Sequence, residues 1–198
     1  MKPFATSSNI YSNRYRSSDV ASLATAADIK ESDELLNPIY FPLPASPLMA
    51  AEILHKTVNM KLIFKKFSIL KKKYEFTLVE GIGGVMVPVT KKILLLDVMK
   101  EMKLPIIIVS RPRLGSINHT LLTINACKIK KIPILGIIFN QMPKNPSIVE
   151  SMTPNYIEKL TNINTLSVIP FMEDCKFKNV GMYLGRSPTI KKITSGEL

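Results

Sequence analysis

Short apolar runs alternate with segments of helical spacing along the chain, and this alternation constrains the fold most strongly. The clearest run is 105–110 (PIIIVS), which carries no charge, as expected for a strand that is covered on both faces. Further runs predict strands near 2–5, 76–80, 132–139 and 165–169. The alternation therefore predicts an α/β fold in one domain, with a mostly parallel sheet flanked by helices.

Helices are predicted from capping residues and from apolar spacing. Ser18 and Ser46 are the predicted N-caps of the first two helices, and a proline follows Ser46 at the first helical position. We predict helices over 19–27, 47 to about 56, 60–73, 95–102, 117–130 and about 155–160. Residues 31–45 are expected to be irregular because three prolines there forbid a helix interior. The tail from residue 173 onward is weakly patterned.

Composition restricts the class of partner. The 198 residues carry a net charge of +12, which suits phosphate-bearing ligands, nucleic acid or anionic membranes. The basic residues form only short clusters without an Arg-rich arm, and this argues against dedicated nucleic-acid binding. No apolar run reaches the roughly 18 residues of a membrane span, and the start lacks a signal-peptide pattern. The two cysteines are not in metal-ligand spacing. We therefore expect a soluble, cytoplasmic protein.

The stretch 79–90 (VEGIGGVMVPVT) is the first candidate for a ligand site. The predicted strand 76–80 ends in the carboxylate of Glu80, and a glycine-rich turn follows. In open α/β sheets, ligands bind beyond the carboxyl ends of the strands, where glycines let the backbone approach closely. A carboxylate is also a hard oxygen ligand of the kind that Mg²⁺ prefers. The alternative is a tight turn with a solvated glutamate.

Polar residues also follow the other predicted strands. In chain order they are Thr6, then Arg111, Arg113 and Ser116, then Asn140 and Gln141, and finally the pair Pro170-Phe171. Parallel strands end at one edge of a sheet, so these residues predict a ligand crevice there. The argument gives a place and some chemistry, but no reaction.

Several motifs, in order over about residues 1–173, resemble ATP-dependent dethiobiotin synthetase. They are MKPFATS, SSDVASL, NPIYFPLPASPLMAAE, LVEGIGGVMVPV, LGSINHTLLT with the following GIIFNQ, and IPF at 169–171. The resemblance implies a P-loop NTPase-like fold and closure of a ureido ring on 7,8-diaminononanoate, using CO₂, ATP and Mg²⁺. It also implies a homodimer and small-molecule substrates, with no nucleic-acid or membrane partner. LGSINHT together with KPFAT argues against the related ParA-like ATPases and other amidoligases.

The resemblance assigns roles to four polar residues near the start of the chain. Lys2 matches the catalytic lysine, a point charge for the carbamate and phosphate, although it could also be a disordered terminal lysine. Thr6 matches a hydroxyl near the diamine or carbamate, with a plain strand-end hydroxyl as the alternative. Asp19 and Glu80 match carboxylates associated with Mg²⁺ and the nucleotide. The alternative for Asp19 is a favourable charge in the first turn of a helix.

Three further groups of residues are assigned by the same resemblance. The turn beside the nucleotide and substrate is matched by Gly81, Ile82 and Gly83. The family binds the substrate carboxylate, across a dimer interface, at positions matched by Leu114, Gly115, Ser116 and Asn118. The adenine side is matched by Asn140, Gln141, Pro170, Phe171 and Met172. For Ser116 a plain N-cap is the alternative, and His119 is expected to be structural.

One departure from the family pattern is large. The family carries a P-loop, G-x-x-x-x-G-K-[ST], whose backbone wraps the ATP phosphates. The 198 residues contain no such motif, and Met1 stands directly before the KP segment. We therefore expect the first strand and P-loop to be missing here, through a misassigned start or a real truncation, with the first favoured. The competing functional hypothesis is a non-catalytic scaffold of the same fold that binds a partner.

Overall fold

The computed structural model describes residues 1–197, and these residues form two compact units. The first unit is Met1–Met102 and the second begins at Lys103. Each unit contains parallel strands with helices between them, in agreement with the predicted α/β class. The single-domain organisation stays a prediction. None of the helices in residues 1–197 is long and apolar enough to cross a membrane.

The first unit contains two small sheets and five helices within its described residues. In chain order the elements are β1 (Phe4–Thr6), α1 (Ser18–Ala26), α2 (Asp33–Leu36), β2 (Ile39–Phe41), α3 (Pro47–Ile53), α4 (Met60–Lys73), β3 (Pro88–Thr90), β4 (Ile93–Leu94) and α5 (Leu95–Met102). Strands β1 and β2 are parallel, whereas β3 and β4 form an antiparallel hairpin. Apolar side chains from α1, α2 and α4 form a buried cluster that includes Val20, Leu36 and Leu70.

Several predictions for the first unit are wrong in detail, including the end of α3, which lies at Ile53 and not near residue 56. The stretch 31–45 is not irregular throughout, because α2 fits before Pro38 and β2 follows it, beside β1. Helix α1 begins at Ser18, so that Ser17 and not Ser18 is the N-cap. None of these changes moves Asp19 out of the first helical turn.

The predicted strand 76–80 is absent from the sheets of the described residues. The segment lies outside every helix and strand, and among the described residues its backbone bonds with Met1, whose nitrogen donates to the Leu78 carbonyl (2.6 Å). The Glu80 N–H in turn donates to the Met1 carbonyl at 2.9 Å. Two such bonds anchor the end of the segment beside the start of β1 without extending a ladder.

The second unit has one parallel sheet, in the order β5-β6-β7. Its elements are β5 (Ile106–Ser110), α6 (Ser116–Ile129), β6 (Ile134–Met142), α7 (Ile148–Thr161), β7 (Thr165–Pro170), α8 (Phe177–Leu184) and α9 (Pro188–Thr194). Ile138, Leu166 and Ile169 form a buried cluster on this sheet. All three strands end at the same edge, where the predicted polar residues lie.

Two element boundaries in the second unit differ from the predictions. Helix α7 begins near residue 148 and not near 155, because Ser147 and Glu150 form a reciprocal capping box and Pro154 is accommodated inside the helix. Strand β6 includes Asn140 and Gln141, which the sequence placed after it. There the pairing with β7 shifts register, and Gln141 adopts a left-handed conformation with φ 62°.

Candidate functional site

The side chain of Lys2 joins two of the predicted carboxylates in the first unit. Its Nζ donates to Glu80 Oε1 at 2.6 Å and to the Gly81 carbonyl at 3.0 Å, and it lies 3.4 Å from Asp19 Oδ2. The Lys2 side chain is only 6% exposed, whereas Asp19 and Glu80 are 58% and 46% exposed. A buried ammonium is tolerated when it is paired in this way. The alternative of a disordered terminal lysine is therefore wrong.

The backbone of Lys2 is fixed by neighbours that the sequence did not single out. Its N–H donates to the Leu36 carbonyl at 2.9 Å, at the end of α2. Its carbonyl accepts the Nδ2 of Asn37 at 2.7 Å, and the same amide nitrogen donates to the Ile39 carbonyl at 3.1 Å. Asn37 is fully buried. Its position directly before Pro38 was the available signal, since Asn-Pro marks a turn.

The glycine turn after Glu80 contributes a backbone oxygen and a close packing contact. Gly81 carries the carbonyl that accepts from Lys2, and a Cβ there would lie 2.9 Å from Leu95 Cδ2. Gly83 has φ +62°, a conformation that glycine adopts without strain. Ile82, between them, is partly buried. The backbone conformation therefore favours glycine at position 83, whereas a Cβ at position 81 would require the Leu95 side chain to move.

Thr6 lies at the end of β1, opposite Phe41 of β2, and is partly buried. This placement agrees with a hydroxyl at the carboxyl end of a parallel strand. The plain strand-end hydroxyl stays open as its alternative.

The carboxylates of Asp19 and Glu80 suit a magnesium ion in their chemistry. Both reach one nitrogen atom and both are partly open to solvent. The described residues contain no cluster of three or more His, Cys, Asp or Glu side chains that could hold a metal by themselves. Mg²⁺ commonly takes one or two carboxylates and completes its shell with water and phosphate oxygens. The pair therefore fits the ion, with most of its ligands coming from outside the protein.

The start of α6 in the second unit is an uncapped helix N-terminus. Gly115 is the N-cap, with φ 88°, and has no side chain that could accept from the first turn. The Ser116 N–H donates back to the Arg113 carbonyl at 3.0 Å. The next two amides, at Ile117 and Asn118, lie in the first turn, where a helix offers no internal acceptor. An anion is favoured at such an end.

The alternative interpretation of Ser116 as a plain N-cap is wrong, because Gly115 holds that position. Ser116 is only 7% exposed, and its Oγ has no hydrogen-bond partner among the described residues. A buried hydroxyl without a partner costs free energy. Leu114, at the other side of Gly115, is 90% exposed. His119 is exposed.

The predicted adenine-side residues lie at the ends of β6 and β7. Met142 pairs with Pro170, and the Phe171 N–H donates to the Met142 carbonyl at 2.7 Å. The Asn140 side chain accepts the Gln141 N–H at 2.8 Å within the irregular turn of β6. Met172 packs against the buried cluster on the sheet. All five predicted residues are thus close together at one edge of one sheet.

A cavity of about 450 Å³ opens at this edge. Its lining includes Gln141 and Phe171 of the predicted set, and the charged residues Arg111, Arg113, Lys144, Glu150 and Glu173. Hydrogen bonds from the backbone and hydroxyl of Ser147 hold the pKa of Glu150 below its ordinary value. The volume lies within the range of small-molecule sites.

Comparisons with known proteins agree with the resemblance. A family model described as an AAA domain matches residues 1–179. An ATP-dependent dethiobiotin synthetase of Nitrosopumilus maritimus is 36% identical over 193 residues, which are 98% of this chain and 84% of that protein. The chain belongs to the ATP-dependent dethiobiotin synthetase family. The family member of Thermodesulfovibrio yellowstonii is 38% identical over 172 residues, which are 83% of this chain and 72% of the relative. That of Bacillus subtilis is 36% identical over 85% of this chain and 72% of its own length.

Family membership confirms the predicted P-loop NTPase-like class and the nucleotide-dependent ligase chemistry at the level of the family. The roles of individual residues stay predictions. The predicted site residues are concentrated in two places, around Lys2 and at the edge of the β5-β6-β7 sheet.

Proposed function

We propose that this chain closes the ureido ring of dethiobiotin from 7,8-diaminononanoate and CO₂, with ATP as the phosphoryl donor and Mg²⁺ as cofactor. The observation that carries the proposal is the paired Lys2 ammonium, held beside Glu80 and Asp19 by a buried backbone. Family membership supports the reaction, and this cluster supports the assignment of residues to it.

The proposed reaction has three steps. One amine of the diamine adds to CO₂ and loses a proton, which gives a carbamate. A carbamate oxygen then attacks the γ-phosphorus of ATP, and the bond to ADP breaks, leaving a carbamic–phosphoric anhydride. The second amine attacks the carbamoyl carbon, loses a proton and expels inorganic phosphate as the ring closes. Negative charge builds up on the carbamate and on the transferred phosphoryl group, and a fixed cation lowers the barrier to both steps.

Lys2 is the proposed catalytic cation. A lysine ammonium is a compact charge with three donors, and Nζ directs donors to Glu80 and Gly81. These contacts fix the direction of the ammonium before the substrate binds, so little reorganisation is needed. Thr6 is proposed to donate or accept a hydrogen bond near the diamine or carbamate.

Asp19 and Glu80 are the residues that would hold Mg²⁺. When bound, the ion would neutralise phosphate oxygens and orient them. The two carboxylates bring negative charge that matches the cation, while their exposure leaves room for water and phosphate ligands. The P-loop motif does not occur among the 198 residues, so no residue here is assigned to that part of the family site.

The N-terminus of α6 is the proposed site for the substrate's carboxylate. The uncapped amides at Ile117 and Asn118 and the partnerless Ser116 hydroxyl are donors that a carboxylate would satisfy. The exposed Leu114 supports the further proposal that a second copy of the chain covers this loop, in a homodimer. Light scattering of the active enzyme tests that state, with a monomer of unchanged activity as the contradicting result.

Gln141, Asn140 and the segment Pro170, Phe171 and Met172 are proposed to hold the adenine. Phe171 is partly exposed at the cavity and offers a ring face on which a base can stack. The turn 81–83 is proposed to lie beside the nucleotide and substrate.

The test of the proposed function is a product assay on the protein from the complete reading frame. Dethiobiotin is measured by mass spectrometry and phosphate by a coupled assay, with diaminononanoate, bicarbonate, ATP or Mg²⁺ omitted in turn. We expect phosphate release that needs both the diamine and bicarbonate, with one phosphate for each dethiobiotin. ATP hydrolysis that ignores the diamine would contradict the ligase assignment. Nucleotide binding without any turnover would favour the non-catalytic scaffold.

A further inference from the structure

The cavity of the second unit contains two arginines to which the resemblance gave no role. Arg111 directly follows β5, and Arg113 lies two residues further on, with the buried Pro112 between them. Both arginines line the cavity together with Gln141 and Phe171. The backbone of the loop is fixed, because the Arg113 N–H donates to the Arg111 carbonyl and the Arg113 carbonyl accepts the Ser116 N–H, both at 3.0 Å.

The other charged residues around this cavity have partners among the described residues, whereas the two arginines do not. Lys144 and Glu173 pair with each other at 2.9 Å. Glu150 accepts the N–H and the hydroxyl of Ser147, at 2.8 and 2.7 Å. Neither arginine has an ion pair or side-chain hydrogen bond with any residue that the structure describes. Two arginines on one short loop favour an anion near them, because each carries a full positive charge. The cavity is therefore prepared for an anionic ligand on its β5 side.

The order of the strands shows how such a ligand would lie. β6 and β7 carry the residues proposed to hold the adenine, and β5 lies on the far side of β6 from β7. A nucleotide with its base at Phe171 and Gln141 therefore meets Arg111 and Arg113 if its phosphates extend along the strand ends toward β5. Guanidinium groups suit phosphate because their donors match its oxygens in pairs.

We infer that Arg111 and Arg113 bind the phosphates of the adenine nucleotide whose base lies at the ends of β6 and β7. The inference rests on the proposed function for the position of the base. It adds a phosphate contact that lies outside the glycine turn and outside the carboxylate site at α6. Arg111 and Arg113 thereby discriminate nucleoside diphosphates and triphosphates from the nucleoside.

Calorimetric binding of ADP and of adenosine to the whole protein tests the inference. We expect Arg111→Ala and Arg113→Ala each to weaken ADP about tenfold while adenosine changes less than about twofold. Phe171→Ala should weaken both ligands equally, because it removes only the base contact. Lys128→Ala, which removes the same charge at the opposite end of α6, is the matched control and should leave both affinities unchanged. Both arginines are exposed, and Arg→Gln variants replace any alanine variant that unfolds.

Other results of these measurements would contradict either the phosphate inference or the proposed function. If ADP binds normally to both arginine variants, or if ADP and adenosine weaken together, the phosphate assignment is wrong. If ADP is unaffected and the KM for the diamine rises instead, the arginines bind the substrate carboxylate, and the inference fails. If the unmodified protein makes dethiobiotin but the arginine variants bind ADP normally, only this inference fails. If the unmodified protein binds no adenine nucleotide, the proposed function fails with it.

Discussion

The Lys2 ammonium nitrogen lies 2.6 Å from Glu80 Oε1, although 78 positions separate the two residues in the chain. The contact brings a proposed catalytic cation to a proposed metal ligand within one compact unit. It depends on two backbone anchors, the Asn37 amide on the Lys2 carbonyl and the Glu80 N–H on the Met1 carbonyl. Both anchors fix the main chain, so that side-chain substitutions at Lys2 or Glu80 address chemistry more than folding.

Replacing Lys2 by methionine should lower kcat for dethiobiotin by at least about 10²-fold, because the transition-state charge loses its fixed cation. The partners left behind, Glu80 and Asp19, are exposed enough to be hydrated, so the unfolding temperature should change little. Lys2→Arg should not restore activity, since a planar guanidinium cannot replace a point charge here. Lys30→Met, at an exposed lysine, is the control. A Lys2→Met protein that is unfolded at the assay temperature would instead identify Lys2 as structural.

Replacing Glu80 by glutamine should raise the Mg²⁺ concentration for half-maximal turnover by about tenfold or more. Asp19→Asn should act in the same direction, because each change removes one of the two carboxylates. Titration of the rate with Mg²⁺ distinguishes weaker metal binding from a disturbed Lys2. Weaker binding is overcome by more Mg²⁺, whereas a disturbed Lys2 would lower kcat at every metal concentration. Glu34→Gln, an exposed carboxylate elsewhere in the unit, should leave the titration unchanged. Chelation with EDTA should abolish turnover reversibly.

Replacing Ser116 by alanine should separate binding from stability. The variant loses a buried hydroxyl that has no partner, so the free energy of unfolding should stay the same or rise by about 1 kcal/mol. The KM for the diamine should rise by about fivefold, because the hydroxyl is a proposed donor to its carboxylate. Thr123→Ala on the same helix, whose hydroxyl donates to the His119 carbonyl, is the control and should not affect KM. An unchanged KM for Ser116→Ala would remove Ser116 from the site.

The Glu31 carboxylate should make the stability of the first unit depend on pH. Its hydrogen bonds with Lys73 and then Tyr74 hold the pKa of Glu31 below its ordinary value. A lowered pKa adds stability above the pKa of the unfolded chain, and this stability is lost as the pH falls through the folded-state pKa. Glu31→Gln should therefore be less stable than the unmodified protein at pH 7, and the difference should shrink well below about pH 4.3.

Thermal unfolding across this range, followed by circular dichroism, is the measurement. Glu75→Gln, at an exposed glutamate close by in the chain, should show no such pH-dependent difference. A difference that persists unchanged to the acid end would mean that packing, and not the charge, accounts for the effect of Glu31.

The sequence predicted helices better than it predicted pairing. The predicted helices over 60–73 and 95–102 match the observed bounds because apolar spacing along a helix is a local signal. The strand at 76–80 failed because a strand needs a neighbour, and among the described residues its backbone meets only Met1. Helix α7 was predicted to begin near residue 155, whereas the capping box at Ser147 starts the helix earlier and Pro154 lies inside it.

The candidate site shows the same division. The predicted strand ends indicated that Glu80 and the residues after β5, β6 and β7 are candidate site residues, because parallel strands end at the same edge of a sheet. The sequence could not show that Asn37 supports Lys2, because that contact is a side-chain hydrogen bond to the Lys2 carbonyl across 35 positions. Nor could it decide between Gly115 and Ser116 as the N-cap, which depends on the φ angle of the glycine.

Gly115 leaves the first turn of α6 without a cap, and the missing acceptor is one that the proposed substrate brings. A carboxylate bound there would complete the helix in the way that an Asp or Asn side chain does elsewhere. The solvent exchange of the Ile117 and Asn118 amides would then slow when the diamine binds. If the proposed substrate binds there, the order of this helix end depends on occupancy. A side chain that capped the helix permanently would then stabilise the protein while competing with the substrate.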